Sequence, residues 1–264
     1  MKHLFNDWGT IPFYFHMMPI RSLKKVVLIS SSTYLSFLSE MGVGGAHPGG
    51  LNLTKKIFNT EKVNGGSRIL DVGCGTGQTA AYLASCYGAK VTAMDINPIM
   101  IEKAKSRMMQ YQLPVEVVQG SIEDFPLQDG TFDYIISESV LAFVNKPKAL
   151  NEIFRLLKNG GRLIANELTV NKQLTPSSEE EIKQFYGLDS IPMEADWITL
   201  FEKAGFQSIE VLKQNNYMLQ NDSIPEFQYS EHLDPNLYFI MIQHLNILMK
   251  YQGILDNGVF LCTK

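Results

Sequence analysis

The sequence predicts an α/β protein in which helices cover one parallel β-sheet. Between residues 67 and 170, short apolar segments alternate with amphipathic helical segments. Parallel strands need crossover connections of this kind, and a helix usually supplies them. The chain has 264 residues, of which 45% are hydrophobic and 19% charged, which is typical of a globular protein with a sizeable core.

The N-terminal region differs from the rest because it is rich in aromatic side chains. Apolar residues recur at helical spacing over 23–41, which predicts a helix. A glycine-rich stretch at 42–50 ends this pattern, and residues 51–63 predict a second helix that ends at an Asn-Gly-Gly turn. We therefore interpret residues 1–50 as an N-terminal helical cap.

Five strands with their helices follow in order. Each predicted strand is short and apolar, and each predicted helix has one apolar face. The predicted strands are 68–73, 90–96, 115–120, 132–139 and 162–170, the last after an Asn-Gly-Gly turn at 159–161, and the predicted helices are about 77–87, 98–111 and 147–157.

After residue 170 the regular alternation stops. A run of glutamates at 179–181 predicts the solvated start of a helix. Further on, the pattern predicts a helix at 195–206, a strand at 208–214, a helix at about 235–251 and a short strand at 257–264. We expect a core domain over 51–264 with helical insertions at about 171–195 and 217–255, which the short linkers indicate are packed on the core.

Composition and charge exclude several classes of protein. A formal net charge of −4 gives no field that attracts phosphate backbones, so no nucleic-acid partner is expected. Cys74, Cys86 and Cys262 form no C-x-x-C pair, which predicts neither a disulfide framework nor a metal site and favours the cytoplasm. No apolar run is long enough for a membrane span. The expected partner is a small molecule, and the expected state is a monomer or homodimer.

The most informative motif is Asp-Val-Gly-Cys-Gly-Thr-Gly at 71–77, between a predicted strand and a predicted helix. Alternate glycines let the backbone turn tightly and approach a ligand, with the amides of the next helix facing it. The dinucleotide fingerprint G-x-G-x-x-G requires a glycine where this chain has Gln78. Asp71 suits a cationic ligand group better than a pyrophosphate. The spacing therefore disfavours a dinucleotide.

A second acid supports a nucleoside ligand. Asp95 ends the second predicted strand, where a carboxylate can accept hydrogen bonds from both hydroxyls of a ribose. The alternative is that Asp95 only caps the helix that begins near Pro98. The glycine motif upstream favours the ribose.

Four segments in unbroken order carry a family resemblance: ILDVGCGTGQTA, VTAMDIN, VQGSIEDFPLQDGTFDYIISESVLAFV and LNEIFRLLKNGGRLIANE. Together they resemble the class I S-adenosylmethionine-dependent methyltransferases, most of all the small-molecule branch with the ubiquinone/menaquinone methyltransferases. The resemblance implies a Rossmann-like three-layer sandwich with a seven-stranded sheet whose last strand is antiparallel. It also implies S-adenosylmethionine as cofactor and S-adenosylhomocysteine as product.

The resemblance also implies roles for individual residues. The cofactor's amino-acid end would lie among the 71–77 motif, its ribose on Asp95 and its adenine against Ile96. The chain departs from the family pattern at Ser121-Ile122, where an acid and an alanine are common, and at Ala142-Phe143, where many relatives have two histidines. The adenine amino group would then meet Ser121 or Glu123. The predicted cofactor-binding set is Asp71, Gly73, Cys74, Gly75, Gly77, Asp95, Ile96, Ser121, Ile122 and Ser137.

Methyl transfer is an in-line displacement that proximity and an apolar channel can accelerate, and it needs a base only when the acceptor loses a proton. Candidate bases near strand ends are Glu138 and Glu167, for which a salt bridge or a helix cap is the alternative. His47 lies in a Pro-Gly turn and is a candidate for proton transfer or substrate contact, or else a solvated turn residue. The predicted substrate-binding residues are Tyr14, Tyr34, His47 and Glu138.

The predicted function is transfer of a methyl group from S-adenosylmethionine to a small apolar or aromatic molecule. The sequence after the fourth strand, Ser-Glu-Ser-Val at 137–140, lacks the Asn/Asp-Pro-Pro-Tyr/Phe motif, so methylation of a nucleobase amine is not favoured. Two alternatives stay open: a module that binds S-adenosylmethionine without turnover, and a methyltransferase acting on RNA or protein.

Overall fold

The computed structural model of this chain describes residues 33–212 and 226–264. Tyr14 and the first part of the helix expected over 23–41 lie outside the described residues. The described helix α1 spans Tyr34–Met41, begins at the side-chain cap of Thr33 and ends at Gly42, whose φ of 59° allows the chain to leave the helix.

Seven strands form one sheet in the order β4-β3-β2-β5-β6-β9-β7. β9 runs antiparallel to β6 and β7, and the other pairs are parallel, which confirms the expected sheet. The strands are β2 (Arg68–Val72), β3 (Lys90–Asp95), β4 (Glu116–Gln119), β5 (Phe132–Glu138), β6 (Leu157–Val170), β7 (Ser208–Leu212) and β9 (Leu255–Thr263).

Helices cover both faces of the sheet, which makes a three-layer sandwich. Ile69 and Leu70 are adjacent on β2 and both fully buried, yet each packs in a different apolar cluster because neighbouring strand residues face opposite sides. The helices after α1 are α2 (Gly50–Phe58), α3 (Gln78–Tyr87), α4 (Pro98–Gln110), α5 (Lys146–Leu156), α6 (Pro176–Tyr186), α7 (Glu194–Ala204) and α8 (Asn236–Lys250). Within the described ranges, no helix is long and apolar enough to cross a membrane.

Two local expectations were wrong, and one short ladder was not predicted. Helix α2 ends at Phe58 instead of residue 63. The expected turn at 159–161 lies inside β6, which starts directly after α5. Gly160 has a φ of 75°, and the register between β5 and β6 shifts at this place. The two glycines therefore form an irregularity within a strand and not a turn before it. A two-residue antiparallel ladder joins β1 (Val43–Gly44) to β8 (Glu226–Phe227), and it is too short to leave an alternating pattern in the sequence.

Candidate functional site

The loop between β2 and α3 has its three glycines at positive φ: 64° at Gly73, 54° at Gly75 and 76° at Gly77. A Cβ added at Gly73 would lie 2.4 Å from Val140, and one at Gly77 would lie 2.7 Å from Met108. No heavy atom lies within 4 Å of a Cβ added at Gly75. The loop therefore packs closely on two sides and leaves an open face at Gly75.

Asp71 is buried directly beneath this loop, with 2% of its area exposed. It accepts a hydrogen bond from the Ala80 amide, but its Oδ2 atom has no hydrogen-bond partner in the described part of the chain. Burial raises the pKa of Asp71 well above its usual range, and the nearby carboxylates of Glu138 and Asp95 raise it further. A cation bound at this place would relieve both effects.

Asp95 lies at the end of β3, beside the same loop. Its Oδ2 atom accepts a hydrogen bond from the Gly75 amide at 2.9 Å, and its Oδ1 atom accepts one from the Asn97 amide at 2.8 Å. Burial raises its pKa. The next residue, Ile96, follows β3 and leaves 68% of its surface exposed. An apolar surface thus stands next to the acid.

Glu138 ends β5 and accepts hydrogen bonds from two threonines. Thr54 of α2 donates to Oε1 at 2.6 Å, and Thr79 of α3 donates to Oε2 at 2.7 Å. Nε2 of His47 lies 3.2 Å from Oε2, off-axis, so this is an electrostatic contact rather than a hydrogen bond. Ser139, the next residue, has a φ of 62°, a conformation that non-glycine residues adopt rarely and mostly where function or packing requires it.

The tautomer of His47 follows from Asn166 on β6. The Asn166 Nδ2 atom donates to the Pro48 carbonyl at 2.9 Å, and Asn257 on β9 donates to its Oδ1 atom at 2.7 Å. These partners orient the amide so that its nitrogen faces Nδ1 of His47 at 3.2 Å. Because an amide nitrogen only donates, Nδ1 must accept, and the ring proton is on Nε2, toward Glu138.

Glu167, the other candidate base, is enclosed. It is fully buried, and its Oε1 atom accepts from the Ser137 hydroxyl at 2.7 Å and from the amides of Val140 and Leu141 at 3.2 and 3.1 Å. Burial raises its pKa to about 7. Its contacts hold the chain after β5, where a short 3-10 turn spans Leu141–Phe143. The Ser137 hydroxyl is committed to Glu167.

The remaining predicted cofactor contacts lie around the same edge. Ser121 accepts a hydrogen bond from the Glu123 amide at 3.2 Å, and Glu123 accepts one from the Asn145 amide at 2.9 Å. The Ile122 side chain is 3% exposed and packs in the core, so only its backbone faces outward. The Cys74 amide donates to the Met94 carbonyl at 2.9 Å, which ties the glycine loop to β3.

Tyr34 lies at the centre of an aromatic cluster that also contains Phe143, Phe185, Tyr186 and His244. Ring centroids lie 6.5 Å from Phe143, 5.8 Å from Phe185, 4.8 Å from Tyr186 and 5.1 Å from His244. The Tyr186 hydroxyl contacts Nδ1 of His244 at 2.9 Å. Burial raises the pKa of Tyr34 to about 12. Phe143 connects this cluster to the chain that follows Glu138.

Comparison with known proteins decides the family. A family model described as a methyltransferase domain matches residues 70–165. The chain is 35% identical over 233 residues to the uncharacterized methyltransferase YodH of Bacillus subtilis (strain 168), and the match covers 88% of this chain and 100% of YodH. The chain belongs to the class I S-adenosylmethionine-dependent methyltransferases.

Two further proteins resemble this methyltransferase, one in sequence and one in fold. It is 29% identical over 166 residues to the ubiquinone/menaquinone biosynthesis C-methyltransferase UbiE of Brucella anthropi, covering 53% of this chain and 63% of UbiE. Its fold matches phosphoethanolamine N-methyltransferase 2 of Haemonchus contortus with a TM-score of 0.71 at 19% identity, covering 87% of this chain and 57% of that one.

The cofactor of this methyltransferase is S-adenosylmethionine. The residues present fit that molecule, because a ligand with an ammonium and a sulfonium group suits the unpartnered oxygen of Asp71 and the open face at Gly75. In residues 33–212 and 226–264, no group of three His, Cys, Asp or Glu side chains is arranged to hold a metal ion.

Four polar residues that surround His47 and Glu138 were not predicted from the sequence: Thr54, Thr79, Asn166 and Asn257. Each lies on a different element, so no local spacing connects them. The one available signal was Asn166, a polar residue inside an apolar strand that is central in the sheet and fully buried.

Proposed function

We propose that this methyltransferase transfers the methyl group of S-adenosylmethionine to a small molecule with an apolar or aromatic body. The observation that carries the proposal is the aromatic cluster around Tyr34. Ala142, Phe143 and Val170 belong to the same apolar cluster, so the rings stand over the carboxyl ends of β5 and β6. Ring faces at this place would hold a flat or apolar acceptor beside the edge that carries Glu138.

Within this proposal the glycine loop and Asp71 hold the amino-acid end of the cofactor, Asp95 accepts from its ribose, and Ile96 covers its adenine. The buried, unpartnered oxygen of Asp71 supports the first role. The position of Asp95 at a strand end supports the second, and the 68% exposure of Ile96 supports the third. The cofactor supplies an electrophilic methyl group on a positively charged sulfur.

The surroundings of the acids favour catalysis without a strong base. Both oxygens of Glu138 already accept hydrogen bonds from threonine hydroxyls, and Nε2 of His47 lies 3.2 Å from Oε2, so the carboxylate is held by groups of the protein itself. Glu167 is enclosed beneath the 3-10 turn. We therefore propose that Glu138 supplies negative charge near the cofactor, and that orientation and exclusion of water provide the acceleration.

A small amine is the second candidate acceptor. The carboxylates of Asp95 and Glu138 lie near enough to Asp71 to raise its pKa, and a cluster of three acids would attract an ammonium group. The structural match to an enzyme named for phosphoethanolamine agrees with this candidate. The aromatic cluster favours the first candidate.

The test supplies the purified protein with S-adenosylmethionine labelled in its methyl group and a cell extract. After the reaction, filtration separates macromolecules, and solvent extraction then separates apolar molecules from water-soluble amines. We expect label in the solvent-extracted small molecules. Label in the amine fraction would favour the second candidate, and label in RNA or protein would contradict both. Heat-inactivated protein is the control for label that moves without catalysis.

A further inference from the structure

Arg107 on α4 contacts the glycine loop from below. Its Nε atom donates to the Thr76 carbonyl at 2.7 Å, and its Nη2 atom donates to the Thr76 hydroxyl at 3.3 Å. Arg107 is 4% exposed and Thr76 is 2% exposed, so these bonds are shielded from water. The guanidinium thus fixes the residue that lies between Gly75 and Gly77.

The same guanidinium also contacts an acid from a distant part of the chain. Nη2 of Arg107 lies 2.9 Å from Oε1 of Glu226, the first residue of β8. The other oxygen of Glu226 accepts a hydrogen bond at 2.9 Å from the side chain of Gln78, the first residue of α3. Glu226 therefore contacts Gln78 directly and Thr76 through Arg107, and these two residues stand on either side of Gly77.

Glu226 begins segment 226–230, which docks against the C-terminal end of α1 and the residue that follows it. The Gln228 amide donates to the Gly42 carbonyl at 3.0 Å, and the Ser230 amide donates to the Glu40 carbonyl at 2.9 Å. Lys103, one helical turn before Arg107, donates to the carbonyls of Glu40 and Gln228. Helix α4 consequently holds segment 226–230 and the glycine loop with two neighbouring side chains.

Docking of segment 226–230 also brings β1 against the loop. A Cβ added at Gly44 would lie 3.3 Å from the Thr76 hydroxyl, and one at Gly45 would lie 2.7 Å from the Gln78 side chain. β1 pairs with β8, so the position of β1 depends on segment 226–230. Thr76 and Gln78 are thus in contact with backbone that β8 holds in place, while the face at Gly75 stays open.

A loop with three glycines at positive φ has many conformations available when nothing fixes it. Contacts that order it before a ligand arrives lower the entropy cost of binding. We propose that Arg107 is a positioning residue, because it keeps the glycine loop in the conformation that binds the cofactor. Through its contact with Glu226, Arg107 keeps this position only while segment 226–230 is docked. Cofactor binding and docking then strengthen each other, because coupling between two equilibria is reciprocal.

This inference rests on the proposed cofactor site at the glycine loop. The test titrates S-adenosylmethionine by calorimetry into the wild type, Glu226→Gln, Arg107→Lys and the double variant. Glu226 has 40% of its side chain exposed, so its variant is expected to fold. Lysine keeps the charge of Arg107 but lacks the planar guanidinium whose Nε and Nη2 atoms contact Thr76 and Glu226. We expect each single variant to raise the Kd for S-adenosylmethionine about fivefold or more. The double variant should have a Kd no higher than that of the single variant that binds less tightly.

Glu181→Gln is the matched control. Glu181 has 43% of its side chain exposed and, like Glu226, joins a cation, Lys250, to a neutral donor, the Tyr251 hydroxyl, but on α6 and α8. We expect its affinity to equal that of the wild type. Single variants that bind within twofold of the wild type, or losses that add in the double variant, would overturn the proposal.

Hydrogen exchange gives the reciprocal measurement. In the wild type we expect S-adenosylmethionine to slow exchange of the Gln228 and Ser230 amides, and in Glu226→Gln we expect little slowing. Equal exchange with and without cofactor in the wild type would contradict the coupling. Gly75→Ala separates the proposed site from the proposed coupling. If Gly75→Ala abolishes cofactor binding and Glu226→Gln has no effect, the site is correct and the coupling is wrong. If Gly75→Ala binds the cofactor normally, the proposed site itself is wrong.

Discussion

The Nε2 atom of His47 lies 3.2 Å from the Oε2 atom of Glu138, and these side chains are only 5% and 9% exposed. Nδ1 of the same ring faces the amide of Asn166, which the Pro48 carbonyl orients. The imidazole therefore connects a fixed amide on β6 to the carboxylate at the end of β5. This arrangement sets both the direction of Glu138 and the position of the loop that precedes α2.

His47→Ala is expected to lower both stability and turnover. It removes the acceptor that the Asn166 amide faces and the electrostatic contact of Glu138 with the imidazole. A buried N–H group left without an acceptor costs about 1–3 kcal/mol. His47→Gln keeps an acceptor oxygen beside a donor nitrogen, so we expect it to retain more of both properties. Chemical denaturation and label transfer from S-adenosylmethionine measure the two effects. Wild-type stability and turnover in His47→Ala would show that the contacts of His47 with Asn166 and Glu138 contribute to neither property.

Glu167 is expected to make stability depend on pH. Its pKa is about 7 in the folded protein against an ordinary value of 4.5, so the folded state binds its proton more tightly than the unfolded state. The contribution of Glu167 to stability is therefore fully present below pH 4.5 and is lost as the pH rises through 7, by an amount on the order of 3 kcal/mol. Glu167→Gln should remove this pH dependence because an amide does not titrate. The structure should be kept, since the amide oxygen can still accept a hydrogen bond from Ser137.

Urea denaturation of the wild type and Glu167→Gln between pH 5 and pH 8 measures this effect. We expect the stability of Glu167→Gln relative to the wild type to rise across that range. Glu181→Gln, which changes an acid with 43% of its side chain exposed, is the control for the loss of a negative charge. A constant difference between the wild type and Glu167→Gln would contradict the raised pKa.

Gly75→Ala and Gly130→Ala form a pair that separates backbone strain from loss of the ligand's space. The two glycines have φ of 54° and 60°, and an added Cβ meets no atom within 4 Å at either position. The strain should lower the melting temperature similarly in both variants. Only Gly75→Ala is expected to lose affinity for S-adenosylmethionine. Equal cofactor affinity in the two variants would remove the argument from the open face of the loop.

Tyr34→Leu tests whether the aromatic cluster holds the acceptor. Leucine keeps an apolar side chain but removes the ring, so we expect a higher KM for the labelled acceptor fraction and an unchanged Kd for S-adenosylmethionine. Tyr82→Leu on α3 is the control, since its ring packs on Tyr87 at 5.8 Å, away from the cluster. An unchanged KM in Tyr34→Leu would assign the cluster to packing alone.

The part of the site that is continuous in sequence was predictable, and the part assembled from distant segments was not. Residues 71–77 run from the end of one strand to the start of one helix, so spacing alone indicated the glycine loop. The position of Asp95 beside this loop was predictable because the carboxyl ends of parallel strands meet at one edge. Arg107 has the pattern of an ordinary solvated helix residue, and its role depends on Glu226, which only the tertiary structure brings near.

The central claim is that Asp95 and the glycine loop bind S-adenosylmethionine, and calorimetric titration of Asp95→Ala tests it most directly. Circular dichroism and the melting temperature first establish that the variant is folded. The substitution removes charge-assisted hydrogen bonds of roughly 1.5–3 kcal/mol each, so we predict a Kd at least about tenfold higher than that of the wild type. The Kd of Asp95→Asn should lie between those of the wild type and Asp95→Ala. A folded Asp95→Ala that binds S-adenosylmethionine with the wild-type Kd would contradict the claim.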